Sequence, residues 1–453
     1  MPRTRRPVPD LSRHHATGPR AGDRAPAPTP TEPPGRAPAV REPLVPEGPP
    51  LDPARLARYA RHLTLPGVGV SGQRRLAAAR VLVVGAGGLG SPALLYLAAA
   101  GVGTLGVVDD DVVDESNLQR QVLHGRADVG RRKVDSAREA VLAANPDVTV
   151  EAHPVRLTAA NALELVSRYD LVLDGSDNFA TRYVVSDATA IAGVPHVWGA
   201  LDRFQGQVSV FWSAPPAGLA PVTYRDLFPE PPAPGTVPTC AEGGVLGALC
   251  ATIGSVMVTE AVKLVTGAGR SLLGRLALYD AADVRWRELR VAADPTRAPV
   301  TEVAEPAAEV CEVPPAAGST SAATAISARR LRDLLGSPTP PFVLDVREEH
   351  ERAVVAIPGS VLRPAGTLLR PVGRVAGGGA GAAGASGSGP DAVPDDPFAE
   401  LPRDRLVAVY CKSGARSQRV VDAAHAAGHS NVVQVTGGVL AWVEDVDPSL
   451  PRY

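Results

Sequence analysis

The sequence predicts an α/β protein: one domain with a mainly parallel sheet and an antiparallel C-terminal part, then a small α/β domain. Three observations carry this. From residue 80 onward, short runs that are apolar throughout alternate with helix-like segments, as in a parallel sheet covered on both faces. A glycine-rich turn, "GAGGLG" at 85–90, joins the first run to the first helix. A second, shorter alternation begins near residue 326, after a stretch rich in Ala, Pro, Glu and Thr.

The elements follow in chain order. Residues 1–50 hold fourteen prolines and read as a disordered tail. The first domain is expected over 51–295. In it "ARVLVVG" is a buried strand, "SPALLYLAAAG" a helix and "TLGVVDDD" a second strand. "GRRKVDSAREAVLAANP" is a helix stopped at Asn145-Pro146. "VTVEAHPV" and "YDLVLDGSD" continue the alternation, whereas "GQVSVFW" and "GRLALYDAADVRWRELRV" alternate with period two and read as antiparallel strands. A linker is expected over 296–325. The second domain, 326–446, has helix "SARRLRDLLG", strands "PFVLDVR" and "DRLVAVY", helix "RSQRVVDAAHAAG" and strand "NVVQV". A Gly/Ala-rich insertion interrupts it at about 371–398.

Composition narrows the function. The net charge of −2 over 453 residues gives no reason to expect nucleic acid or an anionic membrane as partner. The four cysteines, Cys240, Cys250, Cys311 and Cys411, form no CxxC pair, so a disulfide framework is not expected. The most apolar helix-like run, Val245–Val258, is shorter than the ~20 residues of a spanning helix. The reading is a soluble, reducing, cytoplasmic protein. Of the 46 basic residues, Lys133, Lys263 and Lys412 are the only lysines, which singles each of them out.

The glycine turn lets backbone approach a phosphate at a helix N-terminus, and Asp109 ends the next strand where a carboxylate meets ribose hydroxyls, as in a Rossmann-like nucleotide site. These two features suit a nicotinamide dehydrogenase equally well. Asn117, Arg120 and Lys133 add further groups, two of them cationic, as a triphosphate losing pyrophosphate would need. Asp177 lies just past a strand end, where it could hold magnesium. Its competing role is an N-cap for the helix beginning near Asn178, and the two roles could be split between Asp174 and Asp177.

Together, "RYARHLTLPGVG", "VLVVGAGGLGSP", "DDDVVDESNLQRQ", "VGRRKVDSAR", "DGSDNFATR" and "PTCAEGGVLG" resemble the ThiF/MoeB adenylyltransferase family, relatives of the ubiquitin-activating enzymes. With the C-terminal unit, the chain resembles the MoeZ type, in which a rhodanese domain is fused behind. The resemblance implies adenylation, with ATP and Mg2+, of the C-terminal glycine of a small ubiquitin-like sulfur carrier ending in Gly-Gly. It implies that Gly88, Asp109, Ser116, Asn117, Leu118, Gln119, Arg120, Lys133, Asp177 and Asn178 contact ATP or its metal. Arg61 would reach the partner's phosphates in a homodimer, and Cys240 in "VPTCAEGG" matches the crossover-loop cysteine. Many members hold zinc with two CxxC pairs. Here Thr223 and Asp226 stand at the first pair and Cys311 alone remains near the second, a poor zinc set, so none is expected. Cys250 reads as a core residue.

"CKSGAR" leaves four residues between Cys411 and Arg416, one fewer than the C-x5-R loop of cysteine phosphatases, and resembles the rhodanese loop. Loop amides, the following helix, Lys412 and Arg416 are expected to lower the thiol pKa. Asp345 and Arg347 are expected to buttress the loop as an ion pair. The resemblance then implies one pathway: adenylation of the carrier, then sulfur transfer from a persulfide on Cys411, loaded by a cysteine desulfurase or by thiosulfate, to give a thiocarboxylate. The competing readings are an NAD-dependent oxidoreductase, and an adenylyltransferase whose rhodanese domain only docks the carrier.

Overall fold

The structure, a computed structural model, describes residues 42–232, 244–304, 324–369 and 396–452. Cys240, Cys311, the tail up to residue 41, most of the linker and most of the expected insertion lie outside the described residues.

The first sheet has eight strands: β1 (Arg80–Val84), β2 (Thr104–Val108), β3 (Thr149–His153), β4 (Leu171–Asp174), β5 (His196–Asp202), β6 (Gln205–Phe211), β7 (Arg275–Asp280) and β8 (Arg285–Arg290). Their order is β3-β2-β1-β4-β5-β6-β7-β8. The pairs from β3 to β5 are parallel, and those from β5 to β8 are antiparallel. The central strands read as apolar runs because helices cover both faces: Val81 to Val84 of β1 and all of β4 are buried. The order in which strands are added across the sheet reverses between β1 and β4, which themselves run parallel. In open α/β sheets the carboxyl ends of the strands on either side of such a point form a ligand crevice.

Helix Gly247–Thr266 differs from its expectation. It extends past Val258 to 20 residues and is apolar enough, by length and composition, to cross a membrane. Its place in the fold is the core: Leu249, Ile253, Met257, Ala261 and Leu264 join the main apolar cluster with Val83, Leu94 and Val208. The run looked shorter because Thr259, Glu260 and Lys263 interrupt it. Glu260 pairs with Lys263 and accepts the Leu272 amide at 2.7 Å, so its buried carboxylate is satisfied.

The tail ends before residue 50. Val45 is buried, Leu44 donates its amide to the Leu264 carbonyl at 3.0 Å, and Glu47 pairs with Arg74 at 2.7 Å. Proline content hid this strap, whose apolar anchors are two residues. The insertion likewise ends before 398: Phe398 is buried in the second domain, and Asp396 meets His429 at 2.9 Å.

The second sheet is parallel, with β9 (Ala325–Ile326), β10 (Phe342–Asp345), β11 (Val361–Leu362), β12 (Val407–Tyr410) and β13 (Val432–Val435) in the order β11-β10-β12-β13-β9. β12 is central and wholly buried. It therefore delivers Cys411, the next residue, to the carboxyl edge of the sheet.

Candidate active site

A cavity of about 360 Å³ opens at the carboxyl ends of β1, β2 and β4. That volume lies in the range of small-ligand sites. Of the expected residues, Gly88, Asp109, Arg120, Lys133, Asp177 and Asn178 line it. Ser116, Asn117, Leu118 and Gln119 do not. They belong to the neighbouring turn, where Asp114 accepts the Ser116 amide at 2.8 Å and Asn117 returns the bond to the Asp114 amide at 3.2 Å. That turn presents Arg120, whose guanidinium donates to the Ser116 carbonyl at 3.1 Å. Arg61 is exposed on helix Ala60–Leu63 and does not line this cavity.

The glycine turn is pinned at Ala86 from two sides. Asp109 accepts the Ala86 amide at 2.8 Å through one oxygen and the Asp111 amide at 2.9 Å through the other. Burial pushes the Asp109 carboxyl up despite the pull of Lys133 and these amides. His124 lies 3.0 Å from the Ala86 carbonyl through Nε2 and 2.8 Å from the Ser136 hydroxyl through Nδ1. Burial holds its pKa down, which suits a neutral ring that donates to the carbonyl and accepts from the serine. His124 escaped the sequence reading, since a lone histidine 38 positions from its partner leaves no local signal. Arg156 and Arg182 also line the cavity unforeseen. Arg182 is buried and donates to the Ser176 carbonyl at 3.2 Å.

Lys133 opens helix Lys133–Ala144 and is buried to 6% exposure, with Nζ 2.8 Å from Asp111. Asp111 is itself well exposed, so the ammonium is held at the cavity wall by a carboxylate that can move. Past β4 the two carboxylates separate. Asp174 is fully buried, accepts the Ser176 amide at 2.9 Å and lies 3.5 Å from His196. Asp177 is exposed at the cavity. The cap of helix Phe179–Ala192 is Asn178, which accepts the Thr181 amide at 2.9 Å. The expected competition for Asp177 is thereby resolved, the capping duty falling one residue later.

Cys250 is buried as expected, but it also faces the cavity. A Cβ on Gly88 would come 2.9 Å from its sulfur, so Gly88 is required by that contact. At the expected first zinc pair, Thr223 and Asp226 form a cap in which Asp226 accepts the Thr223 amide at 2.7 Å and the Asp294 amide at 3.0 Å.

In the second domain Cys411 is fully buried and heads the loop to helix Ala415–Ala426. The Gly414 amide donates to its sulfur at 3.1 Å, and the Ser417 hydroxyl lies 3.6 Å away. Gly414 has φ +122, which a side chain rarely adopts, and a Cβ there would meet Gln434 Nε2 at 3.0 Å. The Val439 and Leu440 amides hold the Cys411 and Lys412 carbonyls from the far side at 2.9 and 3.2 Å. The loop thus aims an amide and a helix N-terminus at the sulfur. Asp345 and Arg347, both fully buried, pair through two bonds of 2.9 and 2.7 Å, and the Tyr410 hydroxyl donates to the same carboxylate at 2.8 Å. Arg416 is held by Glu351 through two bonds of 2.6 and 2.7 Å, a pairing the sequence did not disclose.

Comparison with known proteins agrees with both halves. The ThiF family model matches residues 59–300, and the rhodanese-like domain model matches 327–445. The chain is 48% identical over 411 residues to the protein named probable adenylyltransferase/sulfurtransferase MoeZ of Mycobacterium tuberculosis, covering 91% of this chain and 98% of that one. It is 39% identical to adenylyltransferase and sulfurtransferase MOCS3 of Bos taurus, covering 88% of each. A sulfur carrier protein adenylyltransferase of Thermus thermophilus is 54% identical over 245 residues, which is 54% of this chain and 90% of that one. These relatives end the dehydrogenase reading, which the glycine turn and Asp109 alone had left open. The chain belongs to the ThiF family and, through its rhodanese-like domain, to the fused adenylyltransferase/sulfurtransferases.

Proposed function

We propose that the chain uses ATP to adenylate the C-terminal glycine of a small ubiquitin-like sulfur carrier ending in Gly-Gly, and then converts the adenylate to a thiocarboxylate with sulfur carried on Cys411. The carrying observation is the pairing, on one chain, of a cavity that gathers Lys133, Arg120 and Asp177 with a loop whose Gly414 amide lies 3.1 Å from a buried sulfur.

In the first half the glycine carboxylate attacks the α-phosphorus and pyrophosphate leaves. Lys133 and Arg120 stabilise charge growing on the leaving group. Asp109 and His124 keep the glycine turn in shape to receive phosphate oxygens. A magnesium ion would fit at Asp177, whose exposed carboxylate faces the cavity while Asn178 caps the helix. Bound there it would neutralise phosphate charge. In the second half the persulfide sulfur on Cys411 attacks the carrier's carbonyl and AMP leaves. Cleavage of the resulting acyl disulfide by a second thiol then frees the thiocarboxylate, and Cys240 is our candidate for that thiol.

A homodimer accords with an apolar groove lined by His62, Leu65, Val68, Tyr96, Val258 and Val262, in which Leu65 and Tyr96 are half exposed. Arg61 stands beside that groove in sequence, from where it would serve the partner's phosphates. We assign no zinc, because the Thr223–Asp226 cap offers hydroxyl and carboxylate in place of thiolates. A first domain running from the Leu44–Val45 strap to 295, a second over 326–446 and a cytoplasmic location complete the proposal. ATP–pyrophosphate exchange against a panel of Gly-Gly-ending carriers tests it. Exchange with at least one carrier is expected, and NAD reduction without exchange would refute it.

A further inference from the structure

Asp174 ends β4 with no exposure, and one of its oxygens accepts the Ser176 amide at 2.9 Å. The other oxygen makes no hydrogen bond among the described residues. Among them His196 is its one basic partner, with Nε2 3.5 Å away. His196 opens β5, beside β4 in the sheet, and is 1% exposed. Phe211 covers the imidazole, with 5.8 Å between ring centroids. Burial raises the Asp174 carboxyl, but His196 and Ser176 outweigh that, and the net shift is downward. The group is therefore an ionised carboxylate with no contact to solvent. What it holds is the wall of the nucleotide cavity, which Gly175, Ser176 and Asp177 all line. Ser176 is gripped at both ends, its amide by Asp174 and its carbonyl by Arg182, whose Nε and Nη donate at 3.3 and 3.2 Å. Gly175 packs on the glycine turn: a Cβ there would come 3.2 Å from the Gly90 nitrogen, and one on Gly85 would come 3.3 Å from the Gly175 carbonyl oxygen. Displacing one turn therefore displaces the other.

We propose that His196 is a positioning residue for adenylation: through Asp174 it fixes the Gly175–Asp177 turn at the wall of the nucleotide cavity. The inference rests on the reading of that cavity as the ATP site. His196 itself touches no part of the cavity and acts only through the carboxylate. With a proton on Nε2, the ring presents an N–H to the second Asp174 oxygen. Without that group, an ionised oxygen stays buried with no partner, a costly state. The carboxylate relieves it by rotating toward the open cavity, which releases the Ser176 amide and loosens the turn. The nucleotide then meets a wall that it must first order, so its binding weakens.

The test uses the full-length protein with a Gly-Gly-ending carrier and measures kcat, KM for ATP and KM for the carrier in pyrophosphate exchange. His196→Leu, which fills much of the space but has no donor, should raise KM for ATP by about tenfold. That is the scale of one buried hydrogen-bonding group left unpaired. KM for the carrier should stay in place. Titration with the α,β-methylene analogue of ATP should show the same weakening without turnover. His196→Gln, whose side-chain amide can donate to the same oxygen, should return KM for ATP toward wild type. In nucleotide-free wild type, the Ser176 amide should be protected from hydrogen exchange. A purely structural role would lower the melting temperature and the active fraction without moving KM for ATP in the protein that remains folded. Wild-type KM for ATP in folded His196→Leu overturns the inference, as does an equal rise in both KM values or a His196→Gln no better than His196→Leu. An unprotected Ser176 amide in wild type overturns it with no variant having to fold. Wild type that neither binds the analogue nor exchanges pyrophosphate would overturn the ATP-site reading itself.

Discussion

Arg347→Met should destabilise the second domain while sparing the first. Arg347 and Asp345 are both fully buried. The carboxylate accepts from Arg347 Nε and an Nη at 2.9 and 2.7 Å, from the Arg347 amide at 3.1 Å and from the Tyr410 hydroxyl at 2.8 Å. Arg347 also donates to the Val355 carbonyl at 2.8 Å and lies over the Tyr410 ring at 5.2 Å. Methionine keeps much of the side chain's length but leaves the Asp345 charge with the Tyr410 hydroxyl, one amide and a more distant Arg352 at 3.7 Å. Removing one member of a buried pair costs roughly 3–5 kcal/mol. For a domain near a hundred residues, each kcal/mol moves the midpoint by roughly 4–8 °C, so a fall of more than about 10 °C is expected. The assay is thermal inactivation read twice on one sample. The midpoint for Cys411 loading should drop, whereas that for pyrophosphate exchange should stay in place. A loading midpoint within about 3 °C of wild type, below what even 1 kcal/mol should produce, would show that the pair is not the buttress described here.

Lys133→Ala should fold and lose pyrophosphate exchange by about 10²–10³-fold, as removal of one preorganised charge-stabilising donor does. Exchange at wild-type rate in the folded variant would remove Lys133 from the site. Cys411→Ser should keep exchange but stop thiocarboxylate formation from a persulfide donor, with partial rescue by free sulfide, measured by mass spectrometry of the carrier. Full conversion without sulfide would contradict the role of the thiol. The Glu351 carboxyl sits below its ordinary 4.5 in the folded protein, so its pairing stabilises fully above that value and is lost as pH falls through the lower folded value. Wild type should accordingly lose thermal stability more steeply than Glu351→Gln on acidification below pH 4.5, and parallel curves would contradict it. Chelation should leave the melting curve unchanged, whereas stoichiometric zinc in purified protein would refute the assignment of Thr223 and Asp226 to a cap.

Much of this was legible because buried parallel strands leave an unbroken apolar run and each ends at the ligand edge. β1, β2 and β4 thus pointed to Gly88, Asp109 and Asp177 directly. β5 went unread because "HVWGALD" mixes a histidine and a glycine into a strand whose faces are filled by Phe211 and Met257. Contacts across long sequence distance left no trace. Neither the His124 bond to Ala86 nor the Glu351 clasp on Arg416 follows from spacing. The motif "SNLQR" drew four neighbours into the nucleotide site along with Arg120, whereas the turn presents Arg120 to the cavity and engages Ser116 and Asn117 in its own hydrogen bonds with Asp114. Proline content placed the end of the tail at residue 50, while two apolar anchors, Leu44 and Val45, hold the chain several residues earlier.

The central claim is that one chain activates a carboxylate with ATP and then gives it sulfur from Cys411. Its most direct test incubates the full-length protein with a Gly-Gly-ending carrier, ATP, magnesium and a persulfide donor, and reads the carrier's intact mass. The account predicts replacement of one oxygen by one sulfur at the carrier's C-terminus, dependent on both ATP and Cys411. Sulfur incorporation that persists without ATP, or in Cys411→Ser with the persulfide donor alone, would contradict it.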